Sequence, residues 1–589
     1  MADAVEGGDR RSVVGPRAPG QVTLSGVARV VPDVPSFAVD DGFVYAVPDG
    51  MSLSVGSMVR VPLGGRRVRG WVVALGEPDR PRLRAILSRS GDIPTFDARL
   101  LGVLRWAAIH YVAPLAAVLA KASPPNIPRG SAGGAALPGV RRRPRLLVGA
   151  DPWEDTLAEE AGAVLGSGRS VVVVAATIPE ADHLALTLGK RLREPVTAVS
   201  SQMGGAAVTA RWVGAASQPG TLLVGTREVA AWPLASPGLA IIAGEGRRGM
   251  KDKATPTIHA RDLLLRRAAV ERFGVLMTEH VPTAEALHRS EVIKVGTRPW
   301  GLVELVDRSA DPPGTGLIAA ATANALRAVG DRRVLLFTHR RAGAQRCVRC
   351  RLLRRCPVCG AAPGDATVCP RCGATTDACT ACGSRRFETL GAPVPRVLAE
   401  VSRIVQRERV GLVGSGKPFM VGTERDLPGL EVDLTVVLDG DGPLMAPSYR
   451  AAEDGLRLLA RAVAAAGRGR GRRGIVQTAD PTHPALVALR DGDPVRFVRA
   501  DSARRSALGF PPGGEILVIE TVGDTVPGEL AAAVGDRATV HGPAAIPGGM
   551  RWLVQGVDLT AARVVLRGLV ARWREAKVRV RVDADPVEL

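Results

Sequence analysis

The chain has 589 residues, too many for one ordinary domain; at ~150 residues per domain it divides into three to five units. Lys and Arg number 78 against 58 Asp and Glu, a formal net charge of +20, which favours a polyanionic partner because clustered cations displace counterions from nucleic acid. Hydrophobic residues are 46% and aromatic residues only 3%, so aliphatic cores are expected and extensive base stacking is excluded.

Residues 1–25 are polar, charged and Gly/Pro-containing, and are predicted to be a disordered tail. Asp3, Glu6 and Asp9 stand there without an apolar stretch, so no secretory leader is expected and the chain reads as cytoplasmic. Residues 26–121 are predicted to be a small β unit followed by helices. Alternation marks strands at 27–31, 59–61 and 69–73, with turns at Pro48-Asp49-Gly50 and Gly64-Gly65. Arg60, Arg66, Arg67 and Arg69 make this unit basic. The helical stretch 97–121 holds the best membrane candidate, 100–120, but Arg105, His110 and Pro114 lie within it and no membrane partner is expected. Residues 122–145 have linker composition.

From 146 onward, short aliphatic runs alternate with helical patterns, at 146–148, 171–176, 222–224, 239–243, 334–337, 419–421 and 434–438. Near-continuous apolar strands between helices predict a parallel sheet buried on both faces, hence an α/β class. From about 485 an α+β unit is predicted, with strands at 516–519 and 578–582 and a helix at 560–575.

All eight cysteines lie between Cys347 and Cys382, in four CxxC pairs: Cys347/Cys350, Cys356/Cys359, Cys369/Cys372 and Cys379/Cys382. A CxxC knuckle presents two thiolates at the span a tetrahedral Zn²⁺ requires, so four pairs predict two closed Cys₄ zinc sites. A disulfide framework fits neither the compartment nor the CxxC spacing. Adjacent, crossed and nested pairings are all compatible with the spacing. Arg340, Arg341, Arg346, Arg349, Arg351, Arg354 and Arg355 crowd the approach, with no Asp or Glu from 332 to 364. They either neutralise the thiolates or bind a partner.

The ordered set of these parts resembles the PriA family of primosomal replication-restart helicases. Val59-Arg60-Val61-Pro62-Leu63-Gly64 is similar to its β-domain signature, and Gly225-Thr226-Arg227 to a DNA-contact motif of the first lobe. His259-Ala260-Arg261-Asp262-Leu263 resembles the segment after the Walker B strand. Arg340-Arg341 before the Cys array, Asp439-Gly440-Asp441 and 449–453 resemble second-lobe landmarks. Phe510-Pro511-Pro512, His541-Gly542-Pro543 and 583–586 resemble the C-terminal domain. The resemblance implies two RecA-like parallel-sheet lobes, at 146–330 and 331–484, with the zinc module at 345–385 inserted in the second and a C-terminal domain at 485–589. It implies nested metals: Cys347, Cys350, Cys379 and Cys382 on one, Cys356, Cys359, Cys369 and Cys372 on the other. It implies DNA contacts from Phe43, Tyr45, Arg60, Arg66, Arg227, Arg340 and Arg341. The family's 3′-end pocket has an Asp where this chain has Val44 between Phe43 and Tyr45, which places 3′-end specificity in question.

The motor parts are missing. A phosphate loop needs GxxxxGK[ST], but Gly149-Ala150-Asp151-Pro152-Trp153-Glu154-Asp155-Thr156 has no Lys and carries three carboxylates. Gly411 to Lys417 fits GxxxxGK, yet Pro418 replaces the hydroxyl residue and a strand follows. The Walker B position reads Ala243-Gly244-Glu245-Gly246, and Glu245 alone cannot both order Mg²⁺ and polarise water. The family's sixth helicase motif carries a Gln and two phosphate-sensing arginines; here it reads Arg461-Ala462-Val463-Ala464-Ala465-Ala466-Gly467-Arg468, so one Arg survives and the other position is Ala465. No catalytic residue is therefore assigned, and loss of ATP/Mg²⁺ chemistry is expected. About 25 residues join the helical stretch to the first lobe, too few for the family's winged-helix domain.

The resulting expectation is a replication-restart and primosome-assembly protein without helicase activity. It would bind stalled or branched forks and single-stranded DNA, and recruit the helicase-loading machinery. The partners implied by the resemblance are other primosome proteins and single-strand-binding protein. The alternatives are an active ATP-dependent 3′→5′ helicase and a zinc-dependent protein-interaction scaffold.

Overall fold

A computed structural model describes residues 24–77, 83–131, 137–149, 153–295, 298–312, 315–339, 345–360, 363, 367–369, 372–389, 394–446, 448–523, 525–526, 528–546 and 548–587. The predicted N-terminal tail lies almost wholly outside these residues, as do Arg340 and Arg341.

The N-terminal unit is an antiparallel sheet of β1 (Leu24–Pro32), β2 (Phe43–Pro48), β3 (Met58–Leu63), β4 (Arg66–Gly76) and β5 (Ser88–Arg89), ordered β2-β1-β4-β3-β5. Alternation buries Ala28, Val30, Tyr45, Val47, Val59, Val61 and Val72 in one core. Gly64 and Gly65, at φ 56° and 77°, make the tight β3–β4 turn that L-residues disfavour. The predicted helical stretch is two helices, α1 (Ala98–His110) and α2 (Leu115–Ala122), broken where Pro114 precedes the second.

The first lobe is a seven-stranded sheet ordered β12-β6-β11-β10-β7-β9-β8. Its strands are β6 (Arg145–Gly149), β7 (Ser170–Ala175), β8 (Val196–Ala198), β9 (Leu222–Gly225), β10 (Pro237–Ala243), β11 (Gly274–Glu279) and β12 (Glu291–Val295). All its pairings are parallel. Helices α3 (Glu154–Leu165), α4 (Ile178–Leu192), α5 (Gly205–Ser217), α6 (Ala260–Arg267) and α7 (Ala284–Arg289) cover it. The strands are apolar on both sides because both sides are buried: Val171, Val173 and Ile241 face one core, Val172, Val174 and Ile242 the other.

The second lobe is a six-stranded parallel sheet ordered β13-β20-β19-β14-β18-β17. Between β13 (Leu302–Asp307) and β14 (Val334–Phe337) runs α8 (Ala320–Ala328). The Cys module follows β14 and is closed by the hairpin β15 (Gln345–Cys347) and β16 (Phe387–Thr389). The chain then returns through α9 (Val394–Ile404), β17 (Val410–Leu412), β18 (Phe419–Gly422), β19 (Leu434–Val437), α10 (Ala451–Ala464) and β20 (Arg473–Thr478). Helices α11 (Pro484–Asp491) and α12 (Pro494–Ala507) lead to the last sheet.

That sheet is antiparallel, ordered β22-β23-β21-β24, from β21 (Glu515–Val522), β22 (Thr539–Ile546), β23 (Gly549–Gly556) and β24 (Arg579–Ala584). Helices α13 (Glu529–Val534) and α14 (Thr560–Glu575) pack on it. The end of β24 fastens three other units together. Buried Lys251 of the first lobe donates to Asp583 at 2.5 Å and to the carbonyl of Asp585 at 2.8 Å. His110 of α1 lies 2.9 Å from the Asp585 carboxylate, and Tyr449 beside the second lobe donates to the Pro586 carbonyl.

Candidate functional site

Two places carry chemistry: the cleft between the lobes and the Cys module. The cleft is a cavity of about 610 Å³ lined from the first lobe by Trp153, Glu154, Glu180, Arg247, Glu279 and His280, and from the second by Leu430, Arg461 and Ala465. Helix α3 starts at Glu154 directly after the β6 loop, where a phosphate would need free backbone N–H groups and the positive end of the helix. Glu154 and Asp155 fill that first turn with negative charge. Trp153 lines the cleft, its ring 4.7 Å from that of His280. Residues 150–152 of the degenerate loop lie outside the described residues.

Glu245 does not face the cleft. It is fully buried and accepts from the Thr283 backbone N–H at 2.7 Å and from Arg261 at 2.9 Å. Arg261 in turn pairs with Asp262 at 3.1 Å. At the Walker B position the chain thus carries a structural ion network.

The two lobes are joined by ion pairs across the cleft. Glu180 of α4 accepts from Arg247 and from Arg461 of α10, the latter at 3.3 Å. Glu424, after β18, pairs with Arg461 at 2.8 Å and Arg247 at 3.4 Å. Carboxylates therefore occupy the guanidinium of Arg461. Burial by itself would raise the Glu180 carboxyl, but the charges of Arg247 and Arg461 hold it below the usual range. Deeper in the joint, Glu453 accepts from Arg457 at 2.8 Å, from Arg505 at 2.5 Å and from the Ala284 backbone at 3.2 Å. Arg457 also donates to the Val281 carbonyl of the first lobe at 2.9 Å, and Arg450 pairs with Glu285 at 2.5 Å. The sequence signals only fragments of this: Thr177 and Glu180 have capping-box spacing, but nothing local announces that Glu180 has a partner 281 residues away.

Two buried imidazoles make the joint sensitive to acid. Burial, with Arg461 and Arg247 nearby, holds His280 down to about 3, and burial with Arg261 does the same for His259. Both regain an ordinary value of ~6.5 on unfolding. Between those values the unfolded chain binds more protons, so the stabilisation present above pH ~6.5 is lost as pH falls toward 3. Each imidazole contributes about 1.4 kcal/mol per pH unit in that window. Urea midpoints measured between pH 7.5 and 5 are expected to fall on the acid side, and less steeply in His280→Phe; a flat profile would contradict this.

In the Cys module the sulfurs form two groups, Cys347, Cys350, Cys379 and Cys382, and Cys356, Cys359, Cys369 and Cys372. Within them Sγ–Sγ distances are 3.5 Å for Cys347–Cys382, 3.4 Å for Cys356–Cys372 and 3.6 Å for Cys359–Cys369. These are far longer than a disulfide bond and close to the ~3.8 Å edge of a tetrahedron with 2.3 Å metal–sulfur bonds. The four-sulfur donor set fits a thiophilic metal ion. Gly360, Gly373 and Gly383 follow knuckles at φ 69°, 73° and 69°. Arg354, predicted as part of a basic approach, turns inward: it donates to the Thr376 carbonyl at 2.8 Å and to Gln345 at 2.5 Å, over the Phe387 ring.

The proposed nucleic-acid contacts are scattered. Arg60, Arg66 and Arg67 are exposed on the β3–β4 hairpin, whereas Arg69 pairs with Asp33 at 2.7 Å. Phe43 is 40% exposed. Tyr45, expected as a stacking partner, is 3% exposed in this structure, sits in the β-unit core and donates to the Pro62 carbonyl, so its ring is not presented to the surface here. Phe43 shares its side of β2 but stands at the exposed start of the strand. Arg227 pairs with Asp252 at 2.7 Å, and Lys121 joins the same carboxylate at 2.8 Å.

Two parallel-sheet lobes facing a cleft, an antiparallel β unit before them and an inserted pair of Cys₄ groups define a two-lobed α/β protein with a candidate metal module. Residues 29–124 match the family model described as the 3′ DNA-binding domain (3′BD) of PriA. The chain is 28% identical over 511 residues to the probable replication restart protein PriA of Mycobacterium tuberculosis, covering 74% of this chain and 76% of that one. It is 24% identical over 657 residues to the replication restart protein PriA of Treponema pallidum, covering 95% and 98%. A solved structure of RecG bound to a three-way DNA junction is also similar, with TM-score 0.35 and 10% identity over 62% of this chain and 44% of that one. The chain carries the PriA 3′ DNA-binding domain and is homologous to PriA replication restart proteins over most of its length. Among the described residues, no helix is long and apolar enough to cross a membrane.

Proposed function

We propose that this protein is a replication-restart factor that binds branched DNA at stalled forks and recruits the helicase-loading machinery without hydrolysing ATP. One observation carries the reading: the place of the triphosphate is taken by the protein's own charges. Glu154 and Asp155 stand in the first turn of α3, where they lie beside His183 and Arg191, and Glu180 and Glu424 neutralise Arg247 and Arg461 across the cleft. An incoming triphosphate would meet like charge at the helix start and would have to displace four ion pairs. Arg60, Arg66 and Phe43 are the exposed candidates for DNA contact on the N-terminal unit, with Arg227, Arg340 and Arg341 in the lobes. The two Cys₄ groups would hold two Zn²⁺ ions, whose part is structural because all four positions on each are protein sulfur. The fit of the module to other primosome proteins and to single-strand-binding protein belongs to the same proposal.

An ATPase assay with fork DNA tests it. Turnover at the no-enzyme background is expected, with fork binding retained and no calorimetric signal for ATP–Mg²⁺. Fork-stimulated hydrolysis that Arg461→Ala abolishes would restore the motor reading.

A further inference from the structure

All six strands of the second lobe run parallel, so all six begin on one edge of its sheet. The Cys module departs from the opposite edge, after β14 ends at Phe337. Six cations stand in the loops leading into these strands: Arg468, which also lines the interlobe cleft, and Arg470 before β20, Arg332 and Arg333 before β14, Lys417 before β18 and Arg407 before β17. All six are exposed, and among the described residues none has a carboxylate within ion-pair distance. Their neighbours differ: Arg409 pairs with Asp331 at 2.9 Å, Arg473 with Glu304 at 3.2 Å and Arg472 with Asp433 at 3.7 Å. Two more carboxylates, Glu408 and Glu431, leave the row net positive.

We propose that this edge holds the phosphate backbone of a duplex arm of branched DNA, as a contact separate from the N-terminal 3′ DNA-binding domain. The inference rests on the fork-binding function proposed above and adds where a second arm lies. Strands ~4.8 Å apart make a six-stranded edge about 24 Å long. One strand of a duplex presents a phosphate every ~3.4 Å, so about seven phosphates run along it. Guanidinium groups match phosphate oxygens bidentately. A protein partner fits less well, because protein interfaces have an apolar centre. Here the exposed apolar residue at the start of a strand is Leu302, on the outermost strand β13, whereas Leu412 stands at the far end of β17.

The test uses the full chain and the variant Arg332→Gln/Arg333→Gln/Lys417→Gln/Arg470→Gln. Binding to a three-armed fork and to a 3′-ended single strand is measured over a salt series. The wild-type fork slope of log K against log salt is expected to become shallower by about three to four in the variant, at ~0.9 per lost phosphate contact. Fork affinity should fall at least tenfold, with the single strand unaffected. A charge-keeping variant, Arg332→Lys/Arg333→Lys/Arg470→Lys, should retain the wild-type slope, which separates charge from any effect on folding. An unchanged fork slope in the Gln variant overturns the proposal, including the case in which the edge captures an acidic peptide instead. Failure of the underlying reading looks different: the wild-type protein itself would then show no preference for forks over single strands.

Discussion

Replacing Cys356 with Ser is expected to halve the metal content, from two ions per chain to one, and to unfold the inner part of the module while both lobes stay folded. Among the described residues the module has almost no other core: the cluster around Cys356 and Cys369 adds only Cys359, Cys372 and Ala374. Sulfur–metal bonds must therefore stabilise it. Structural Zn²⁺ in small domains contributes about 10–16 kcal/mol at neutral pH, as much as the whole net stability of a typical domain. A hydroxyl does not replace a thiolate at such a site, and three sulfurs leave the tetrahedron open. The outer group, Cys347, Cys350, Cys379 and Cys382, is anchored separately by the β15–β16 hairpin and should keep its ion. The lobes have their own aliphatic cores, which the module does not enter. Elemental analysis with limited proteolysis checks this. Two ions retained, or helical circular dichroism lost throughout, would refute it.

The second large effect is expected at Glu453→Gln. This carboxylate is fully buried and is shared by Arg457, Arg505 and the start of α7, so it joins α10 and α12 to the first lobe. The amide keeps the shape and removes the charge, leaving Arg457 with Asp454 at 2.6 Å and Arg505 with Asp501 at 3.2 Å as their remaining close counter-ions. Breaking a buried pair costs about 3–5 kcal/mol where the remaining charge is left uncompensated, so with Asp454 and Asp501 still in place the lower end, about 3 kcal/mol, is expected. Glu424→Gln is the contrast. Its carboxylate is about half exposed (49%), and such pairs are typically worth ~0–1 kcal/mol. Urea unfolding should therefore separate the two variants widely. Equal midpoints would mean that the lobes are not held together by the buried network.

Much of the chassis was legible before any coordinates. The runs at 171–176, 239–243, 334–337 and 434–438 are strands because an apolar run too short for a helix, flanked by helical patterns, has few other ways to bury both its faces. Less continuous strands escaped notice: β11, ending in Thr-Glu, and β20, with Gln477 inside it, carry polar residues that the fold buries with partners of their own. The Cys module was readable for a different reason. CxxC is a local device whose geometry needs only three residues' spacing, while the nested assignment came from family resemblance and agrees with the sulfur groups.

The composition, the spacing of the cysteines and the absence of a Lys at the phosphate loop were determined by the sequence alone, because each concerns residue types within a few positions of one another. What became of the vacated cleft was decided only in three dimensions. Glu180 and Arg461 lie 281 positions apart, as Lys251 and Asp583 lie 332 apart, and their attraction depends on a separation and a burial that only the packed lobes provide. Tyr45 makes the same point in small: as a residue type it suits base stacking, but how deeply its place on β2 is covered depends on the packed β unit, which leaves Phe43 on the same side exposed.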